Sequence, residues 1–378
     1  MQSLVDSTGT KVLSDEHDPN RKVTGLDVGT GASAIYALLA TSSRTNWDMH
    51  ATDIDDHSLT YAEKNIALNN LQARITLHRM AQDDPLIPLG KLNVETIDFT
   101  MCNPPFYTSA DDLYNSLNNK QARPSAVCTG AEVEMICEGG DLGFVMRMVE
   151  ESLVLRSRVQ WYSSMFGKKE SLFAVVDRLK EVGIDNWAVS CLQAGNRTRR
   201  WALAWSFRDR RPSWNATKNN TISTVLNPRP TEQTIPIFKL SIELAVEMLD
   251  QILLPLDVSW KWDSNIRSGH GRTTGNVWSR AARRGLKRKR NQDDTGNTGP
   301  QAARSTHDED NTVREGFHAV DDEVALAFRI SVSVEPKGQE FVLRWLRGQD
   351  WTLFESFTGM LKRSLREKAS NRRISQDN

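Results

Sequence analysis

The chain has 378 residues, with 48 Lys plus Arg balanced by 48 Asp plus Glu. Overall charge therefore names no partner, and any electropositive surface must come from local clustering. The length exceeds one typical domain of roughly 100–200 residues, which predicts a sizeable core and a second unit. The four cysteines, Cys102, Cys128, Cys137 and Cys191, lack CxxC pairing and metal-ligand spacing; they read as packed thiols in a reducing compartment, with no metal site. No secretory-leader pattern stands at the start, and no run approaches a membrane span.

Residues 1–21 are polar without a sustained apolar period and predict a disordered tail. From Lys22 onward strand-like and helix-like stretches alternate: KVTGLDVG, ASAIYALLA, WDMHATDID, a helix from His57 to Asn70, ARITLHRM and IDFTMCN. That alternation predicts βαβ units and a mostly parallel sheet. A polar stretch over 107–138 follows, then DLGFVMRMVEESLVL at helical spacing, then VQWYSSMF, SLFAVVDRLKEVG, NWAVSCLQ and TRRWALAWSF, which close one α/β domain over 22–207. Residues 208–231 are rich in Arg, Asn, Thr and Pro and read as a linker. Apolar patterning returns in IPIFKLSIELAVEMLDQILL, VDDEVALAFRISVSV, EFVLRWLR and DWTLFESFTGMLKRSL, predicting a small α+β domain over 232–368 and a tail over 369–378. Inside it, residues 291–315 have almost no large apolar side chains and predict a disordered insertion.

Two features point to chemistry. In GLDVGTGASA, Gly29 and Gly31 fall between an apolar strand and a helical run, where glycine lets the backbone approach a nucleotide or nucleoside closely. Asp53 closes the next strand about 20 residues on, as a ribose-binding carboxylate does. With Ala34, the glycines also satisfy the GxGxxG/A dinucleotide pattern, so a hydride-transfer enzyme competes with an S-adenosylmethionine enzyme in which Asp27 faces the amino-acid portion of the cofactor. The second feature, NPPF at 103–106, ends the fourth strand with a turn that two prolines stiffen. Asn103 Oδ1 and the Pro104 carbonyl suit the two hydrogens of a planar amine such as the exocyclic group of adenine. Holding them pyramidalises the nitrogen and frees its lone pair, and Phe106 can stack on the base, a contact worth roughly 1–3 kcal/mol.

These residues resemble the methyltransferase-like 16 family, related to bacterial ribosomal RNA adenine-N6 methyltransferases. The similarity is carried by GLDVGTGASAIYALL, ATDIDD, YAEKNIALNNL, MCNPPF, CEGGDLGFVMRMVEESL, RWALAWSF and, more loosely, VQWYSSMFGKK. It implies a Rossmann-like class I S-adenosylmethionine-dependent methyltransferase, with Asn103, Pro104, Pro105 and Phe106 as the catalytic tetrad. Cofactor contacts are implied for Asp27, Gly29, Gly31, Asp53, Asp84 and Asn103. Asp84 belongs to MAQDD, similar to the family's adenine-side loop, where Asp83 and Asp84 replace Lys-Thr. RNA contacts are implied for Arg197 and Arg200, and Arg123 lies in the polar wall past the hook, placed to close over a flipped base.

Late in the chain, SRAARRGLKRKR concentrates Arg283, Arg284, Lys287, Arg288, Lys289 and Arg290 without an acid, as segments that bind phosphates or importins do. With Trp260, Trp262 and GNVWSRAARR, the region resembles the family's accessory RNA-binding domain of kinase-associated-1 type. The implied activity is N6 methylation of adenine in structured RNA, U6 small nuclear RNA first and messenger RNA hairpins second, in the nucleus and extending to the cytoplasm. Relatives carry a basic N-terminal module, whereas this chain begins about two dozen residues before the sheet, which predicts a truncated chain or a lost module. The competing readings are a non-catalytic RNA-binding homologue and a methyltransferase of another planar nitrogen, such as ribosomal RNA adenine or protein glutamine.

Overall fold

VTGLDV is buried along nearly its whole length and forms the central strand β1 (Val23–Val28), as a parallel sheet covered on both faces requires. Around it stand β2 (Trp47–Asp53), β3 (Ile75–Arg79), β4 (Ile97–Cys102), β5 (Val159–Phe166), β6 (Trp187–Ala194) and β7 (Thr198–Trp205), in the order β3-β2-β1-β4-β5-β7-β6. Strands β1 to β5 pair in parallel, and β7 runs antiparallel to both β5 and β6. One apolar cluster joins this sheet to α4 (Gly140–Leu155) and α5 (Lys169–Glu181) through Val145, Met148, Val149, Leu172, Val175 and Leu179. Another joins it to α2 (Ile35–Ser43) and α3 (Asp56–Leu68) through Ala37, Ala40, Ala62 and Ile66. The result is the α/β Rossmann-like architecture that the sequence predicts. The chain leaves β1 for β2 and β3, then returns to β4 on β1's other side, which opens a ligand crevice at the carboxyl ends of β1 and β4.

The structure is a computed structural model and describes residues 1–8, 20–112, 114, 135–194, 198–217, 226, 229–237, 240–282, 284, 324–335 and 338–376. Its two units are 1–231 and 232–378. In the second, β8 (Glu232–Pro236), β9 (Ser259–Asp263), β10 (Ser268–Thr273), β11 (Leu326–Glu335) and β12 (Gly338–Arg347) form an antiparallel sheet ordered β8-β12-β11-β10-β9. It shares a core with α7 (Ile242–Leu253) and α8 (Trp351–Gln376), filled by Leu249, Phe328, Phe341, Leu343, Phe354 and Phe357. No described helix is long and apolar enough to cross a membrane.

Three segment expectations are corrected. Residues 2–7 are not a loose tail: they form helix α1 (Gln2–Ser7) with Leu4 and Val5 buried, and the buried Thr8 hydroxyl accepts hydrogen bonds from Trp161 Nε1 at 2.8 Å and Gln160 Nε2 at 3.0 Å. Nor does the stretch 208–231 behave as a free linker where it is described. Arg211 is buried and paired with Asp185 at 3.1 Å, Asn186 Nδ2 donates to the Arg208 and Arg210 carbonyls, a short helix α6 spans Trp214–Thr217, and Leu226 enters the core. The predicted tail after 368 continues α8 to Gln376, with Ala369 buried. The insertion 291–315 lies outside the described residues.

Candidate active site

Register brings the sequence-separated motifs together. Val28 of β1 stands beside Thr52 of β2 on one side and Cys102 of β4 on the other. The residues that follow these three are Gly29, just past β1, Asp53, the last of β2, and Asn103, just past β4, so all three line the carboxyl edge of the sheet at the crevice. Gly29 and Gly31 adopt φ of +68° and +62°, a region that glycine enters without steric cost. The space above Gly29 is open, since a Cβ there would meet nothing within 4 Å. Asp53, nearly buried, braces the turn by accepting from Gly31 N at 2.8 Å and Asp55 N at 2.9 Å. Capping of α3 falls instead to Asp55, which accepts from Ser58 N at 2.7 Å. Asp53 therefore belongs to the crevice rather than to the following helix.

Asp27 is buried at 2% exposure and accepts from the Thr30 hydroxyl at 2.7 Å. Burial pushes its carboxyl up to about 7, and the charge of Asp53 adds to the effect, while the Thr30 hydroxyl opposes it. Burial likewise raises Tyr36 to about 12 and drives the Cys102 thiol far above its ordinary value, with Asp27 contributing to both. Cys102 is thus a packed thiol and not a nucleophile.

At the hook, the Asn103 side chain is exposed and Pro104 is buried. Among the described residues, neither Asn103 Oδ1 nor the Pro104 carbonyl is engaged in a hydrogen bond. Both acceptors that amine capture requires are thereby uncommitted. Phe106 is half-buried, with the Arg200 guanidinium over its ring at 5.2 Å from the centroid. Gly167 lies against the same ring: a Cβ there would stand 2.7 Å from Phe106 Cδ1.

A family model described as RNA methyltransferase matches residues 9–209. The chain belongs to that RNA methyltransferase family. It is 32% identical over 350 residues to the U6 small nuclear RNA (adenine-(43)-N(6))-methyltransferase of Schizosaccharomyces pombe, covering 92% of this chain and 80% of the relative. It is 43% identical over 188 residues to human RNA N(6)-adenosine-methyltransferase METTL16, covering 49% of this chain and 33% of that protein. The chain therefore spans four-fifths of the yeast relative's length but only a third of the human one's. The crystal structure of the hMettl16 catalytic domain in complex with a MAT2A 3'UTR hairpin aligns at 40% identity with a TM-score of 0.45, covering 50% of this chain and 64% of that one.

S-adenosylmethionine is the methyl donor of this methyltransferase, and the crevice residues fit it. Open space over the Gly29 turn would admit the cofactor, Asp53 stands at the same sheet edge where ribose hydroxyls would lie, and an ammonium group beside buried Asp27 would draw its carboxyl into the charged form. Asp84 is engaged within its own loop. Its side chain accepts from Ala81 N at 2.7 Å and pairs with Lys91 at 2.5 Å, which holds its own loop closed. Of the RNA-facing candidates, Arg200 reaches the site through Phe106, and Arg284 is exposed on the second unit. Arg123, Arg197, Arg283, Lys287, Arg288, Lys289 and Arg290 lie outside the described residues. Lys168 pairs with Asp112 at 3.4 Å, and Lys169 lies over Phe173. Gly140, Asp141 and Gly167 lie inside the motifs that match, and the sequence alone assigns them no role. The available signal was a pair of glycines and an acid opening a helix directly after a polar loop.

Proposed function

We propose that this methyltransferase transfers a methyl group to N6 of adenine in structured RNA, with U6 small nuclear RNA the favoured substrate. The observation that carries the reading is the row Gly29, Asp53 and Asn103 at one sheet edge, with two uncommitted acceptors at Asn103 and Pro104. The 80% coverage of the yeast U6 enzyme supports the choice of substrate. In the proposed reaction Asn103 Oδ1 and the Pro104 carbonyl each accept one hydrogen of the adenine amino group. The nitrogen pyramidalises, and its lone pair points away from the hook. Pro104 and Pro105 hold the carbonyl fixed, so no reorganisation is needed as charge develops. S-adenosylmethionine supplies an electrophilic methyl group on a sulfonium. The product amine gives its surplus proton to water, so none of the chain's carboxylates acts as a strong base.

The second unit is assigned a supporting role in RNA binding. The run from Arg280 to Arg290 supports this, as does a directly opposed row of Lys261, His270 and Arg329 across β9, β10 and β11. The same basic run supports a nuclear location through importin recognition. The test is incubation of the full chain with methyl-labelled S-adenosylmethionine and a U6 RNA, followed by digestion to nucleosides. Label in N6-methyladenosine is expected. Label in another nucleoside or in protein overturns the choice of acceptor, and absence of label with retained RNA affinity identifies a non-catalytic binding factor.

A further inference from the structure

Asp141 is buried at 2% exposure on the first turn of α4, yet its oxygens serve another element. Oδ2 accepts from Gly167 N at 3.0 Å and Lys168 N at 3.2 Å, and Oδ1 accepts from the Ser171 hydroxyl at 2.7 Å. Helix α5 has Lys168 at its N-cap with no side-chain cap of its own, so Asp141 replaces the missing cap from across the fold, where a carboxylate also complements the helix dipole. Its chain neighbour Gly140 has φ of +59°, and a Cβ there would stand 3.2 Å from the Phe106 carbonyl oxygen. Gly167, which Asp141 holds by hydrogen bond, lies against the Phe106 ring. One carboxylate thus ties together the two backbone segments that contact Phe106 at its carbonyl and at its ring.

We infer that Asp141 is a positioning residue for methyl transfer, setting the width of the Gly140–Gly167 slot that fixes Phe106 against the target base. The inference rests on the reaction proposed above. Asp141 touches no reacting atom and acts only through Phe106. A ring free to shift by about 1 Å loses the alignment that rate depends on, at a cost on the order of 10²-fold.

The experiment uses the full chain, with a direct readout of the ring beside the turnover assay. With 4-fluorophenylalanine at position 106, Asp141→Ala is expected to shift and broaden the fluorine resonance, while Asp141→Asn leaves it in place. The amide can accept from the two backbone N–H groups and donate to Ser171 Oγ. In turnover, Asp141→Ala is expected to lower kcat by on the order of 10²-fold with little change in KM for S-adenosylmethionine. In a Phe106→Ala background it should add almost nothing, because both changes act through one ring. Gly167→Ala inserts a methyl against the ring directly and should reproduce the Asp141→Ala phenotype even where Asp141→Ala folds poorly. Two results would overturn the proposal: a fluorine resonance indifferent to both Asp141→Ala and Gly167→Ala, or losses that multiply in the double mutant. If the wild-type chain transfers no methyl group, the proposed reaction fails, and the fluorine spectra still decide whether Asp141 sets the ring.

Discussion

Asp27→Asn is expected to stabilise the free protein and weaken its hold on the cofactor. Burial moves the Asp27 carboxyl from 3.8 in the unfolded chain to about 7 in the folded one. Between those values the folded state binds more protons than the unfolded state, so stability falls as pH rises from about 4 to about 7 and is flat above. About three units at about 1.4 kcal/mol each give about 4 kcal/mol of destabilisation in the charged form. Asparagine mimics the protonated form, and its amide oxygen still accepts from Thr30. Thermal melts from pH 5 to 8.5 should therefore show the variant gaining over wild type as pH rises, with the gain vanishing towards pH 4. A cofactor ammonium placed beside Asp27 favours its charged form, so wild-type affinity should fall about tenfold from pH 8 to pH 6, with close to one proton released per ligand at pH 6. Calorimetry in buffers of different ionisation enthalpy reads both quantities. A variant less stable than wild type at pH 8, or a pH-independent affinity with no proton released, would refute the reasoning.

Two further outcomes are expected. Thr8→Val deprives the buried Trp161 Nε1 of its acceptor and should cost about 1–3 kcal/mol in urea unfolding; an unchanged midpoint would show that α1 is not anchored there. Arg200→Gln removes the cation over Phe106 and should weaken RNA binding while lowering the salt slope by about 1 in anisotropy titrations; an unaltered slope would remove Arg200 from the RNA interface.

The catalytic sheet was legible because its signals are local. Runs such as VTGLDV and IDFTMC are long and apolar, glycine is needed where φ is positive, and a proline pair cannot continue a strand. What the sequence left unread depends on partners far away in the chain. Helix α1 has only Leu4 and Val5 to bury, too few for a period, and it is fixed by Trp161, whose position no local pattern reveals. The hairpin β9–β10 was missed because its strands, SWKWD and SGHGRT, carry charges and glycines. Those glycines make room for rings: a Cβ at Gly269 would strike Trp260, and one at Gly271 would strike Phe328. Asp141 has no role legible in the sequence, because its hydrogen bonds run to Gly167, Lys168 and Ser171 at the start of α5 and not to its own helix.

The central claim is that Asn103, with Pro104, clasps the amine that receives the methyl group. Its most direct test is the single-turnover rate of N6-methyladenosine formation by wild type and Asn103→Ala, with U6 RNA and S-adenosylmethionine both saturating. The account predicts a rate lower by about 10²–10³-fold in the variant, with RNA still bound. A variant that methylates N6 within a few-fold of wild type would contradict it.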